Sequence, residues 1–294
     1  MSYVSQQFLL LDNSSTANFK NWAKAISDAL TSMGWALTSD TGQVNWSTVT
    51  VPGSGSFVYE IWKPTDALQT GSTQFFVKIK YGTGSGSPAG PRLQIQVGTG
   101  TDGAGNLTGF TTTNAEVTGT AATGQGSLAT FDCYFSGDTD RCSFMLWRSF
   151  AANPTNFTCI ERTKDTAGVN SSDGVNQYNG ANVGVLGQQT IVFGVGTVNH
   201  PALNNNRYVS VYDQGNDGGT RAFNNNVPVF PVFPLYGKVG NPATTLAFIW
   251  NTDVAEGCIF TTTLYGATRT YIASSNFTNS GGSGSSFRFC MRYD

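Results

Sequence analysis

Beyond Gly34 this chain of 294 residues never again sustains a helical period. It breaks instead into short runs of Val, Ile, Phe, Tyr and Thr, each closed by a cluster of Gly, Asn, Asp, Ser or Pro. Apolar runs of that length, punctuated by turn formers, are the signature of strands in an all-β domain. The runs that qualify are residues 57–62, 74–81, 92–97, 128–135, 142–149, 158–162, 189–195, 208–212, 245–250, 259–264, 269–272 and 286–292. One segment departs from the pattern. Phe19, Trp22, Ile26, Leu30 and Met33 recur at spacings of three and four, which predicts an amphipathic helix over about residues 17–33, with Ser15 or Thr16 as N-cap and Gly34 just past its end. The expected fold is therefore mainly β, a β-sandwich-like architecture with one N-terminal helix. The apolar stripe of that helix packs either on a sheet of its own chain or on a neighbouring subunit, so Phe19, Trp22 and Ile26 are candidate assembly contacts.

The pattern weakens after Arg162, where residues 164–187 lose strong alternation. This places a boundary between a helix-plus-sandwich lobe, residues 1–165, and a second β lobe, residues 166–294, unless the two are continuous. Glycine-rich stretches at residues 82–90, 98–109, 119–126 and 280–286 are each flanked by strand patterns, and read as long hairpin tips. The clearest hairpin runs from Thr130 to Arg148. With a four-residue loop at residues 136–139, Cys133 falls opposite Cys142, near enough for a disulfide. The competing reading is two reduced thiols packed as small apolar groups, which also suits Cys159, Cys258 and Cys290.

Charge then limits what the chain can bind. Its 16 basic and 18 acidic residues make 12% of the sequence, and the net charge is −2. Nucleic acids and anionic membrane surfaces are recognised by clustered Lys and Arg, so neither is an expected partner. No apolar run approaches the length of a membrane span, and the patch Phe8-Leu9-Leu10-Leu11 lacks the flanks of an export signal. Synthesis in the cytoplasm is expected.

Catalytic chemistry finds few footholds. The single histidine, His200, sits before a proline in an Asn-rich turn and reads as a loop residue. Glu60, Glu116, Asp132 and Glu161 are strand-region acids that a glycosidase would need in convergent pairs, and Arg141, Arg148 or Arg162 could equally answer them. The turns at Asp138-Thr139-Asp140 and Asp102–Asn106 offer oxygen ligands but no complete calcium loop, and read as Asx turns. Trp35, Trp46, Trp62 and Tyr59 could stack on sugars or fill a core. No cofactor, metal site or catalytic residue is expected.

The most unusual segment is residues 227–237. Pro228, Pro231 and Pro234 recur every third residue, matching a polyproline II helix, with Phe230, Phe233 and Tyr236 along one edge. Proline disfavours the centre of a sheet, so the expectation is an arm lying over its own sandwich or over a neighbour. On that reading Pro228, Phe230, Pro231, Phe233, Pro234 and Tyr236 join the candidate assembly contacts.

Several motifs together resemble uncharacterised virion proteins of tailed bacteriophages. They are the opening Met1-Ser-Tyr-Val-Ser-Gln-Gln-Phe8, the helix end Ser32-Met-Gly-Trp35 with the run from Thr38 to Trp46, Tyr59-Glu-Ile-Trp-Lys63, Ser136-Gly-Asp-Thr-Asp-Arg141 with Trp147-Arg148, and Ile160-Glu-Arg-Thr-Lys-Asp165. The resemblance covers roughly the first 175 residues. It implies a non-enzymatic particle component located in the virion, in the tail, baseplate or fibre apparatus. Capsid decoration and host-glycan binding are the alternatives. Its implied partners are copies of itself and other virion proteins.

Overall fold

Alternation shapes the first element. In β1 (Tyr3–Leu11) successive residues turn to opposite sides, and the inward ones become fully buried by Leu9 and Leu11. Helix α1 (Thr16–Ser32) follows, capped by Ser15, whose hydroxyl accepts from the Asn18 backbone N–H at 3.1 Å. It ends in a Schellman closure. Trp35 donates to the Leu30 carbonyl and Gly34 to that of Thr31, and Gly34 takes the left-handed conformation at φ +90° that the motif requires. The computed structural model describes residues 2–71, 74–85, 90–111, 114–117, 129–147, 155–162, 178–183, 190–194, 208–209, 229–234, 243–250, 255, 257–264, 266–276 and 287–294.

Three antiparallel sheets follow from the strand runs. The first is a meander of β2 (Ala36–Leu37), β3 (Phe57–Lys63), β4 (Phe76–Thr83), β5 (Pro91–Thr101) and β6 (Leu107–Thr111), with β7 (Ala115–Glu116) also pairing β5. The second joins β1 to β8 (Ala129–Asp138), β9 (Arg141–Trp147), β10 (Thr155–Arg162), β11 (Tyr178–Val183) and β12 (Thr190–Gly194), in that order. The third is built from β13 (Tyr208–Val209), β14 (Val229–Pro234), β15 (Ala243–Trp250), β16 (Ile259–Leu264), β17 (Ala267–Asn276) and β18 (Phe287–Arg292), ordered β13-β14-β15-β18-β17-β16. The fold is mainly β and β-sandwich-like, with one helix among the described residues.

One core joins the helix to the first two sheets. Phe19, Trp22 and Ile26 meet Leu11, Phe135 and Phe144 from the second sheet and Tyr81, Leu93 and Ile95 from the first. The three helix residues expose at most 1% of their surface. This corrects the expectation that they contact a neighbour, because removing so much aromatic and aliphatic area from water already commits that face to its own chain. The opposite face of β8–β10 meets the third sheet and the residues after it. Tyr134 packs edge-on against Tyr293 at 5.5 Å, and the Ser136 hydroxyl donates to the Asp294 backbone oxygen at 3.0 Å. The second sheet is thus the middle layer.

Three further expectations change. The β8–β9 turn has two residues, Thr139 and Asp140, instead of four, with the Asp138 carboxylate capping the Asp140 N–H at 3.2 Å. That shift sets Cys133 across from Leu146 and Cys142 across from Gly137, so the two cannot bridge. None of the five cysteines is in a disulfide; Cys133, Cys142, Cys159 and Cys290 are buried thiols and Cys258 is exposed. Residues 229–234 are a strand paired on both sides, to β13 and to β15, and not a polyproline arm. The prolines are accommodated at weak points of the ladder. Pro234 closes the strand, and the register slips between Pro231 and Val232, where proline has no N–H to donate. Phe230 and Phe233 lie in that strand; Pro228 and Tyr236 lie outside the described residues. Finally, β10 pairs with β11 across residue 165, so one sheet continues through the expected lobe boundary.

Candidate functional site

Among the described residues, three of the five exposed large apolar side chains lie on β1. Its outward row is Val4, Gln6, Phe8 and Leu10, and Phe8 keeps 73% of its surface exposed, Leu10 44% and Val4 42%. Register with β8 explains why. Val4, Gln6 and Phe8 stand across from Ser136, Tyr134 and Asp132. Tyr293 and Asp294 roof that face at Tyr134 and Ser136. Gln6 donates its amide to the Tyr134 hydroxyl at 3.2 Å, which ties the exposed row to the roofed one. Among the described residues no strand pairs with the outer side of β1. Residues 3–11 contain no Lys, Arg, Asp, Glu or Pro, so the usual devices that blunt a sheet edge are missing from this one. Leu37 and Ile259 are also exposed, in β2 and β16.

The strand-region acids are placed differently. Glu60 is 1% exposed and enclosed by four neutral donors. Its Oε1 accepts from Ser27 Oγ at 2.9 Å and Trp46 Nε1 at 2.7 Å, and its Oε2 from Tyr81 Oη at 2.9 Å and Trp62 Nε1 at 3.2 Å. Burial raises its pKa, against the lowering pull of those four hydrogen bonds. The carboxylate links helix, loop and two strands of the first sheet. Glu161 is buried directly across from Arg141, and Asp132 lies beneath the exposed row of β1. Glu60 lies in the first sheet, and Asp132 and Glu161 lie in β8 and β10 of the second. Glu116 lies in β7, and His200 and Arg148 lie outside the described residues.

A second polar cluster holds loop 102–106 onto the first sheet. The Lys78 ammonium sits 4.0 Å from the centre of the Tyr59 ring and donates to the Gly105 carbonyl at 2.6 Å; Asp40 Oδ1 accepts from the Gly105 N–H at 3.3 Å. Burial lowers the Lys78 pKa. Asp102 is spent on its own turn, accepting from the Ala104 and Asn106 N–H groups at 2.8 and 2.9 Å, an Asx arrangement. Gly105 sits at φ +94°, and a Cβ there would run into the Tyr59 hydroxyl. Gly105→Ala should lower stability by about 2 kcal/mol and free the Tyr59–Thr41 hydrogen bond, measured by urea denaturation with tyrosine fluorescence.

The aromatic residues proposed for sugar stacking are occupied. Trp35 and Trp62 are buried, Trp46 packs against Phe19 and Tyr81, and one face of Tyr59 is covered by Lys78. Among the described residues, no group of three or more His, Cys, Asp or Glu could hold a metal ion, and no helix is long and apolar enough to cross a membrane. Val4, Phe8 and Leu10 are absent from the contacts expected from the sequence, and only the strand assignment places these even-numbered residues on one face. Compared with protein-family models, with curated proteins and with solved structures, the chain matches none.

Proposed function

We propose that this protein is a non-enzymatic structural subunit of a tailed-phage virion, belonging to the tail, baseplate or fibre apparatus, and that it works by packing against copies of itself and other virion proteins. The observation that carries the reading is the uncovered row Val4, Phe8 and Leu10 on a neutral edge strand whose outer side no other strand pairs among the described residues. An edge strand of nine residues that is apolar on its outer face and free of charge is a liability in a protein that stays single and a docking element in one that assembles. Low overall charge fits permanent packing, since charged residues are depleted from the buried centres of interfaces. Residues 229–234 contribute as part of the third sheet, so deleting the proline-rich segment would test folding and not docking.

Mass spectrometry of purified particles from the phage that encodes the chain tests this reading. The expected result is its peptides at a fixed copy number per particle, constant between preparations. Peptides abundant in the infected lysate and missing from the purified particles would overturn it.

A further inference from the structure

We infer that β1 is the seat of a two-fold contact with a second copy of this chain, in which the two β1 strands pair antiparallel about Gln7 and join two middle sheets into one. The inference rests on the assembly reading above and names its first partner. Three observations point to a copy of the same strand.

The first is the open edge. Among the described residues no strand takes the outer side of β1, whose outward backbone N–H and C=O groups run along nine residues, about 30 Å of ladder that another strand can satisfy. The second is charge. In a strand paired with its copy across a two-fold axis, a charge near the centre lies close to its own like charge. Residues 3–11 carry none, so self-pairing has no repulsion to overcome.

The third is parity. An antiparallel pair centred on Gln7 sets Tyr3 across from the copy's Leu11, Val4 across from Leu10, and Gln6 across from Phe8. Even-numbered residues therefore meet even-numbered ones, and both exposed rows fall on the same face. Val4 and Leu10, each exposed by more than two-fifths in one chain, become direct cross-strand neighbours, and the Phe8 ring lies over the aliphatic part of the opposing Gln6. The odd residues, which face the core in each chain, continue the core side of the joined sheet. A pairing offset by one residue would oppose exposed to buried positions and lose this match.

Sedimentation of the full-length protein, together with directed cross-linking, tests the pairing. The wild type should sediment at twice the chain mass. Phe8→Lys, which places like charges near the axis at an exposed position, should sediment as a folded monomer with an unchanged far-ultraviolet circular dichroism spectrum. In a Cys133→Ala, Cys258→Ser background, which removes the exposed native thiol and the thiol directly across from position 7 in its own chain, Gln7→Cys should form a disulfide-linked dimer under mild oxidant, because position 7 faces itself across the axis. Ser5→Cys, facing position 9, should not. A wild-type monomer at high micromolar concentration, or a dimer that Gln7→Cys fails to cross-link, would overturn the pairing. Protein that is incorporated in particles but fails both tests would leave the virion reading standing without this contact; a cross-linked dimer missing from particles would do the reverse.

Discussion

Glu60→Ala should lower the free energy of unfolding by about 4 kcal/mol, a large fraction of the roughly 5–15 kcal/mol that holds a domain together. The substitution removes the common acceptor of Ser27, Trp46, Trp62 and Tyr81 and leaves four donors facing a cavity. A buried donor without a partner costs about 1–3 kcal/mol, and the Ser27 and Tyr81 hydroxyls can rotate to recover part of it, whereas the indole N–H groups cannot. Glu60→Gln keeps the shape and one acceptor but turns an amide N–H₂ toward donors, so a smaller loss of about 2 kcal/mol is expected near neutral pH.

The pH dependence separates charge from shape. Glu60 binds its proton more tightly when folded than its ordinary value of 4.5 allows, because burial penalises the ionised form. A raised acid adds stability that is fully present below the unfolded pKa and is lost as pH rises through the folded one. Wild type should therefore lose stability as pH climbs from about 4.5 through the raised value, and the Gln variant should not lose that component. Urea titrations of both proteins across this range should show the gap between them narrowing as pH rises. A gap that widens would mean that the carboxylate is held ionised by the four donors and that burial does not dominate.

How much of this was legible in the sequence depends on whether a residue's partners lie near it along the chain. The helix from Phe19 to Met33 and its caps were readable because every signal lies within one segment. Strands such as β3 and β16 were readable because their runs are bounded by turn formers. β1 was not, since its second half, Phe8-Leu9-Leu10-Leu11, is apolar on both faces and the period of two disappears. The Cys133 register failed by a turn length, which depends on how Asp138 bonds to Asp140. The proline repeat matched a polyproline helix in spacing, yet two flanking strands supplied enough hydrogen bonds to hold Val229–Pro234 in a sheet. Glu60 was visible as a strand acid, but its four donors come from positions 14 to 33 residues away in helix, loop and neighbouring strands, apart from Trp62 two residues on. Spacing along a chain does not encode such convergence.

The same logic of distant partners makes Arg162 the second position of large expected effect. Its backbone is fixed in β10, its side chain is fully buried, and its Nε donates to Asp66 Oδ2 at 2.7 Å. Nη2 reaches Gln69 Oε1 at 3.3 Å, and the guanidinium lies 4.8 Å from the centre of the buried Phe75 ring. Asp66, Gln69 and Phe75 belong to the connection between β3 and β4, so one side chain of the middle sheet holds a long loop of the first sheet in place. Arg162→Ala strips that loop of its cation and leaves Asp66, whose side chain is only 7% exposed, as a nearly buried carboxylate still accepting from the Leu68 N–H at 2.7 Å. Breaking one side of a buried pair typically costs about 3–5 kcal/mol, most of it from the charge left behind. Pairing the change with Asp66→Asn removes that stranded charge, so the double variant should recover about half of the loss. Hydrogen exchange gives a local readout. Residues 64–71 should lose protection in Arg162→Ala while β8 and β9 keep theirs, and equal loss across both sheets would mean that Arg162 supports the middle layer as a whole instead of pinning the loop.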